Sequence, residues 1–170
     1  MIKEFLRAVG IISSPVTVEN TDKQVFLKEI DCLATNIYFE ARNQGIAGQV
    51  AVGAVTLNRV WDDRFPNTIC EVVYQAQLSR WWLETKGKEV PLRNRCQFSW
   101  YCDGKPDTIE DEETYGSIFR LAELMVNSNS IIDITEGATH YHADYVAPSW
   151  ASSKTKTTEI EDHIFYRWER

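Results

Sequence analysis

No run of apolar residues in the 170-residue chain is long enough to span a bilayer, so no membrane insertion is expected. Basic residues are in deficit. Eighteen Lys and Arg stand against 25 Asp and Glu, for a net charge of −7 and a pI of about 5.0. That balance argues against a broad nucleic-acid-binding surface and against docking on an anionic membrane. It leaves room for a locally neutral or basic groove that takes an anionic polymer. Internal repeats and low-complexity tracts are missing, which leaves one ordinary domain. CxxC pairs are missing too. The opening stretch MIKEFLRAVGIISS has an apolar part too short, and too interrupted by Glu4 and Arg7, for a signal peptide, so the sequence shows no export route.

What is present fits a globular protein. The apolar share is 44 %, with six Trp, and the length is enough for one domain with a proper core. Four cysteines, Cys32, Cys70, Cys96 and Cys102, allow three complete pairings. The even count fits an oxidising compartment, and four buried thiols fit it as well. Cys96–Cys102, closing a short loop, is the favoured pair. A monomer is the default.

Residues 1–24 are polar and turn-rich at SSPVTVENTDK and read as a poorly ordered arm; residues 25–170 read as the domain. The spacing of Ile30, Leu33, Ala34, Ile37 and Ala41 predicts a helix over 25–42, stopped by Gly45. Residues 46–60, rich in Ala and Gly, predict a buried helix that packs closely. A third helix follows Pro66, with Thr68 and Glu71 at capping-box spacing. Residues 79–107 read as a long loop with short elements. Residues 108–127 predict a helix capped by Thr108, with Glu110 to Glu113 complementing its positive end. The stretches DITEGATHYHADYVAPSW and KTTEIEDHIFYRW alternate like paired antiparallel strands. Helices first and a small sheet near the C-terminus make a helix-dominant α+β domain.

Glu40 stands out inside the first helix. It lies three residues after Ile37 and seven after Leu33, at the edge of the apolar stripe, with Asn36 one turn back on the same side. Apolar surroundings disfavour the charged carboxylate and raise its pKa. A carboxylic acid still protonated near neutrality can act as a general acid. A Glu at a helix edge can equally reach water or pair with Arg42 or Arg59, and pattern alone favours that plainer role.

Five motifs shift the balance. NIYFEARNQGIAGQVAVGAVTLNRV, RFPNTICEVVYQ, CQFSWYCDG, ATHYHADYVAPSWA and DHIFYR occur in this order. Together they resemble the SleB/CwlJ-type cell wall hydrolase family over about residues 31 to 167. The resemblance implies a lysozyme-like, transglycosylase-like fold around a groove, and cleavage of peptidoglycan glycan strands between N-acetylmuramic acid and N-acetylglucosamine without a cofactor or metal. It implies action at the cell wall, in the periplasm or outside the cell, and is compatible with a phage endolysin released through a holin. Glu40 matches the first Glu of the family's EARGE motif, its proposed catalytic acid. Asn43 and Gln44 replace the Gly-Glu that many relatives carry, and Gln44 reads as a helix-end or binding group.

A lone Glu favours a lytic transglycosylase, because ordinary glycosidases use two carboxylates. Asp103 and Asp144 are the other acids inside matching motifs, and Asp103 in CDG also reads as a turn residue. Gln97 and Ser99 in CQFSWYC suit sugar hydroxyls. On a strand, Tyr141 faces away from His140 and His142, which makes it the choice for a groove hydroxyl near Glu40. Trp150 is a candidate for stacking on a sugar or for scaffolding. Two rival readings remain. His140, His142 and His163 could hold zinc in an N-acetylmuramoyl-L-alanine amidase. A non-catalytic wall-binding module could use Trp81 and Trp82.

Overall fold

The computed structural model describes residues 18–127 and 132–169. Helix α1 spans Val18–Ala41. It begins seven residues before its predicted start, so residues 18–24, expected in the arm, are helical; residues 1–17 lie outside the described residues. The predicted stripe is real: Ile30, Leu33, Ala34, Ile37 and Ala41 are all fully buried. Helix α2, Ile46–Trp61, follows directly. It packs on α1 at close range because it lacks side-chain bulk. A Cβ added at Gly53 would come within 2.7 Å of Met125 Cε and 3.1 Å of Ile37 Cδ1.

Helix α3, Ile69–Val73, starts as the capping box predicts, with the Thr68 hydroxyl accepting from Glu71 N. It ends early because the chain then pairs as a strand. β1, Ala76–Leu78, runs antiparallel to β2, Pro91–Cys96. Helix α4, Arg80–Lys86, joins them, and a 3₁₀ turn, Ser99–Cys102, follows. Helix α5 spans Glu112–Asn127. Its cap is Asp111, not Thr108: the Asp111 carboxylate accepts from Thr114 N at 2.9 Å and from the Thr114 hydroxyl at 2.6 Å. A carboxylate placed one residue before the helix outcompetes a hydroxyl four residues away.

The C-terminal part holds β3, His140–Ala143, β4, Thr155–Ile160, and β5, His163–Arg167. They form an antiparallel sheet in the order β3-β5-β4. Helix α1 is the central element and packs against α5, α2 and α3. The sheet packs on α2 through Ala51, Val55, Ala138 and Phe165, all fully buried. Its β4–β5 turn also caps α2. The Glu161 carboxylate accepts from Gly45 N at 2.7 Å and Gly48 N at 3.1 Å. A Cβ at Gly45 would stand 2.8 Å from Glu161 Oε1, so a larger residue there would push the Glu161 carboxylate out of its capping position. Gln44 Nε2 donates to Asp162 Oδ2 at 3.0 Å beside it.

The cysteines pair as Cys32–Cys70 and Cys96–Cys102. The first ties α1 to α3. The second closes the loop that leads from β2 through the 3₁₀ turn, as favoured from the sequence.

Candidate active site

Glu40 sits in the last turn of α1, half-buried, where the helix meets the sheet. Tyr141 reaches it from β3 and donates its hydroxyl to Glu40 Oε2 at 2.8 Å. Strand alternation explains the reach. Tyr141 shares one face of the sheet with Phe165 and His163, at ring distances of 5.6 and 5.1 Å. Arg59, in the last turn of α2, is buried and donates from Nε to Thr139 O at 2.8 Å. Its guanidinium lies over the rings of Phe98 and Phe65. These groups border a groove of about 480 Å³, also lined by Phe39, Gln97, Ser99, Trp100, Asp103, Tyr145 and His163.

The opposite wall is fixed by a buried polar relay. Trp100 Nε1 donates to Asn36 Oδ1 at 3.0 Å, and Asn36 Nδ2 donates to the Thr56 hydroxyl at 3.1 Å. Phe39 stacks on Trp100 with ring centroids 4.6 Å apart. The relay anchors the 3₁₀ turn one helical turn from Glu40. Gln97 and Ser99 ride on that anchored loop, and both line the groove.

Burial pushes the Glu40 carboxyl above its ordinary 4.5; the Tyr141 hydrogen bond and the Arg59 charge pull the other way and lose. The Tyr141 hydroxyl is driven well above 10 by burial and by Glu40, so it stays protonated. Burial lowers Arg59 to about 10, which keeps it charged at neutrality. The set suits a two-stage proton transfer. A protonated Glu40 has Oε2 occupied by Tyr141, which leaves Oε1 for the transferable proton. Once ionised, the carboxylate meets a hydroxyl donor and a nearby cation.

Gln97, Ser99 and Tyr141 therefore share the groove with Glu40, and Trp150 does not. Trp150 packs against His140, His142 and Tyr166 at 5.4 to 5.6 Å, on the other face of the sheet. The sheet also separates the histidines. His140 and His142 face Tyr166, whereas His163 faces Tyr141. The His142 Nδ1 donates to Ala143 O at 2.8 Å, and its Nε2 meets the Tyr166 hydroxyl at 3.0 Å. Burial and nearby cations push His140 down to about 3. Among the described residues, no group of three or more His, Cys, Asp or Glu is arranged to hold a metal ion.

Asp103 lines the groove while its Oδ1 accepts from Lys105 N at 2.8 Å, so it is both a turn residue and a groove acid. Asp144 lies in the turn after β3, its N–H donated to Asp162 O. Gln44 is spent on Asp162, outside the groove lining. Sequence reasoning passed over Arg59, His163, Phe39 and Tyr145 as groove residues. Arg59 had a readable signal, a charge inside an otherwise apolar helix, the same signal that marked Glu40.

The sequence profile of the cell wall hydrolase family matches residues 43–166. The chain belongs to the cell wall hydrolase family. The profile begins just after Glu40 and does not include it. A spore cortex-lytic enzyme of Halalkalibacterium halodurans is 30 % identical over 138 residues, 81 % of this chain and 34 % of that protein. One from Bacillus cereus is 45 % identical over 49 residues, 29 % of this chain and 19 % of that protein. The chain thus spans about a third or less of these curated relatives. Among solved structures, the catalytic domain of the germination-specific lytic transglycosylase SleB from Bacillus anthracis superposes with a TM-score of 0.57 at 27 % identity. That match covers 82 % of this chain and 93 % of the other. The catalytic domain of the Bacillus cereus SleB protein gives 0.51 at 25 % identity, covering 82 % and 89 %. These likenesses agree with the helix-dominant α+β, lysozyme-like architecture.

Proposed function

We propose that this cell wall hydrolase domain cuts peptidoglycan glycan strands between N-acetylmuramic acid and N-acetylglucosamine, as a lytic transglycosylase with Glu40 as its one acid and base. The observation that carries the reading is the half-buried Glu40 carboxyl, raised by burial and held by Tyr141 at the side of an open groove. The SleB catalytic domain, described as a lytic transglycosylase, supports the same reaction class. Its site of action is the cell wall, in the periplasm or outside the cell.

In the reaction, Glu40 gives its proton to the glycosidic oxygen as the bond to the muramic C1 breaks. The Glu40 carboxylate, steadied by Tyr141 and the Arg59 charge, then takes the proton from the muramic C6 hydroxyl. O6 bonds to C1 and closes a 1,6-anhydro ring. The proton returns to Glu40, and no water is consumed. Gln97 and Ser99 orient sugar hydroxyls. Asp103 gives a second reading its footing: a groove carboxylate could activate water and make the enzyme a hydrolytic muramidase.

Mass spectrometry of soluble fragments from digested peptidoglycan separates these. Ends one water lighter, as anhydro-muramic acid, are expected. Hydrated reducing ends, lost in Asp103→Asn, would instead establish hydrolysis. Freed peptides on intact glycan would establish an amidase.

A further inference from the structure

The segment between β1 and β2 is not used by the chemistry above, and its composition is out of keeping with its position. Every residue from Arg80 to Glu89 is exposed. Trp81 and Trp82 are 57 % and 38 % exposed, with their rings edge to face at 4.9 Å. Leu83 and Leu92 add further exposed apolar surface. An acidic protein places five basic side chains here, Arg80, Lys86, Lys88, Arg93 and Arg95, against Glu84 and Glu89. Large rings left in water cost solubility and mark a contact surface.

The segment is joined to the groove. A cavity of about 330 Å³ on the β1–β2 pair is lined by Gln75, Gln77, Arg95 and Gln97, and Gln97 also lines the groove that holds Glu40. The Cys96–Cys102 bond fixes the base of the segment to the groove wall.

We propose that the arm Ala76–Cys96 is a second, non-catalytic binding surface for the peptidoglycan strand itself, lying beyond the groove. The inference rests on the proposed glycan substrate. Trp81 and Trp82 offer flat faces for sugar rings. The surrounding Lys and Arg meet the carboxylates that stem peptides carry along the strand, while the acidic body of the protein repels them. The path over Gln97 and Arg95 lets one strand occupy the groove and the arm together. A bound strand then gains two linked contacts, which favours long polymer over short oligomers.

The test uses the full chain with Glu40→Gln, so that binding is read without cleavage and independently of which bond is cut. Co-sedimentation with insoluble peptidoglycan is compared for this parent, for W81A/W82A added to it, and for K86E/K88E added to it. Loss of about tenfold or more in apparent affinity is expected for both, with far-ultraviolet circular dichroism unchanged. The charge-reversed variant should lose the salt dependence of binding. In the active enzyme, W81A/W82A should slow digestion of intact walls and leave turnover of short soluble glycan oligomers unchanged. Equal sedimentation of parent and W81A/W82A would overturn the proposal. So would Trp-dependent binding to phosphatidylglycerol vesicles with none to peptidoglycan. A hydrated product in the mass experiment would change the reaction class and leave this binding result standing.

Discussion

In the proposed reaction Glu40 and Tyr141 act as a pair, joined by the hydroxyl-to-carboxyl hydrogen bond, and each substitution carries its own experimental sign. Glu40→Gln keeps the shape and removes the acidic proton, so turnover should fall by roughly 10²–10⁴ while wall binding persists. The same change alters stability with pH. The unfolded carboxyl titrates near 4.5, and the folded one higher. A raised value means that the wild type's extra stability is full below 4.5 and is lost as pH rises through the folded value. Gln does not titrate. Urea melts should therefore show Glu40→Gln gaining on the wild type between pH 4 and pH 8, by about 1.4 kcal/mol for each unit separating the two values. A difference independent of pH would remove the buried-acid argument. Tyr141→Phe deletes a donor that favours the ionised form. Its pH–rate profile should have the alkaline limb moved upward, along with a lower maximum.

At the scale of elements, the junction between α2 and the sheet is the vulnerable one. Glu161 adopts φ +50° and holds the first turn of α2 with two backbone bonds. Glu161→Gln removes the charge that faces the positive helix end but preserves the backbone. It should cost about 1 kcal/mol, read as a lower thermal midpoint, and the loss should shrink in high salt. Because this junction sets how β3 approaches α1, the Tyr141–Glu40 contact depends on it, and the variant should also lose activity before it unfolds. Unaltered melting would show that water caps the helix as well as Glu161 does.

The whole molecule is held by two covalent loops of unequal size. Cys32 and Cys70 are 38 residues apart, Cys96 and Cys102 only 6. Chain entropy assigns about 4 kcal/mol to the first and about 2 kcal/mol to the second. Replacing Cys32 and Cys70 by Ala should therefore lower the melting temperature more than replacing Cys96 and Cys102. The smaller loop carries Gln97 and Ser99, so its loss should raise KM more than it lowers stability. Calorimetry and kinetics on the two double variants check the order. If the short loop proved the more stabilising, packing of the Trp100 turn would outweigh loop entropy.

Local periodicity determined much of this protein by itself. The apolar stripe of α1 placed Glu40 at its edge, because helical spacing alone fixes which side chains share a face. Strand alternation likewise turned Tyr141 away from His140 and His142. What remained needed contacts distant in sequence. Trp150 was open between sugar and scaffold until strand pairing put it behind the sheet with Tyr166. The cap of α5 was misplaced, since Thr108 and Asp111 are both good caps and Tyr38, 73 residues away, receives the Asp111 N–H at 3.1 Å. The strands β1 and β2 escaped notice because each gains its hydrogen bonds only from the other. Arg59 acquired its meaning when α2 brought it beside the carboxyl of α1. Spacing fixes the direction of a side chain within its element, but which elements meet, and so which charges lose their water, is decided by packing.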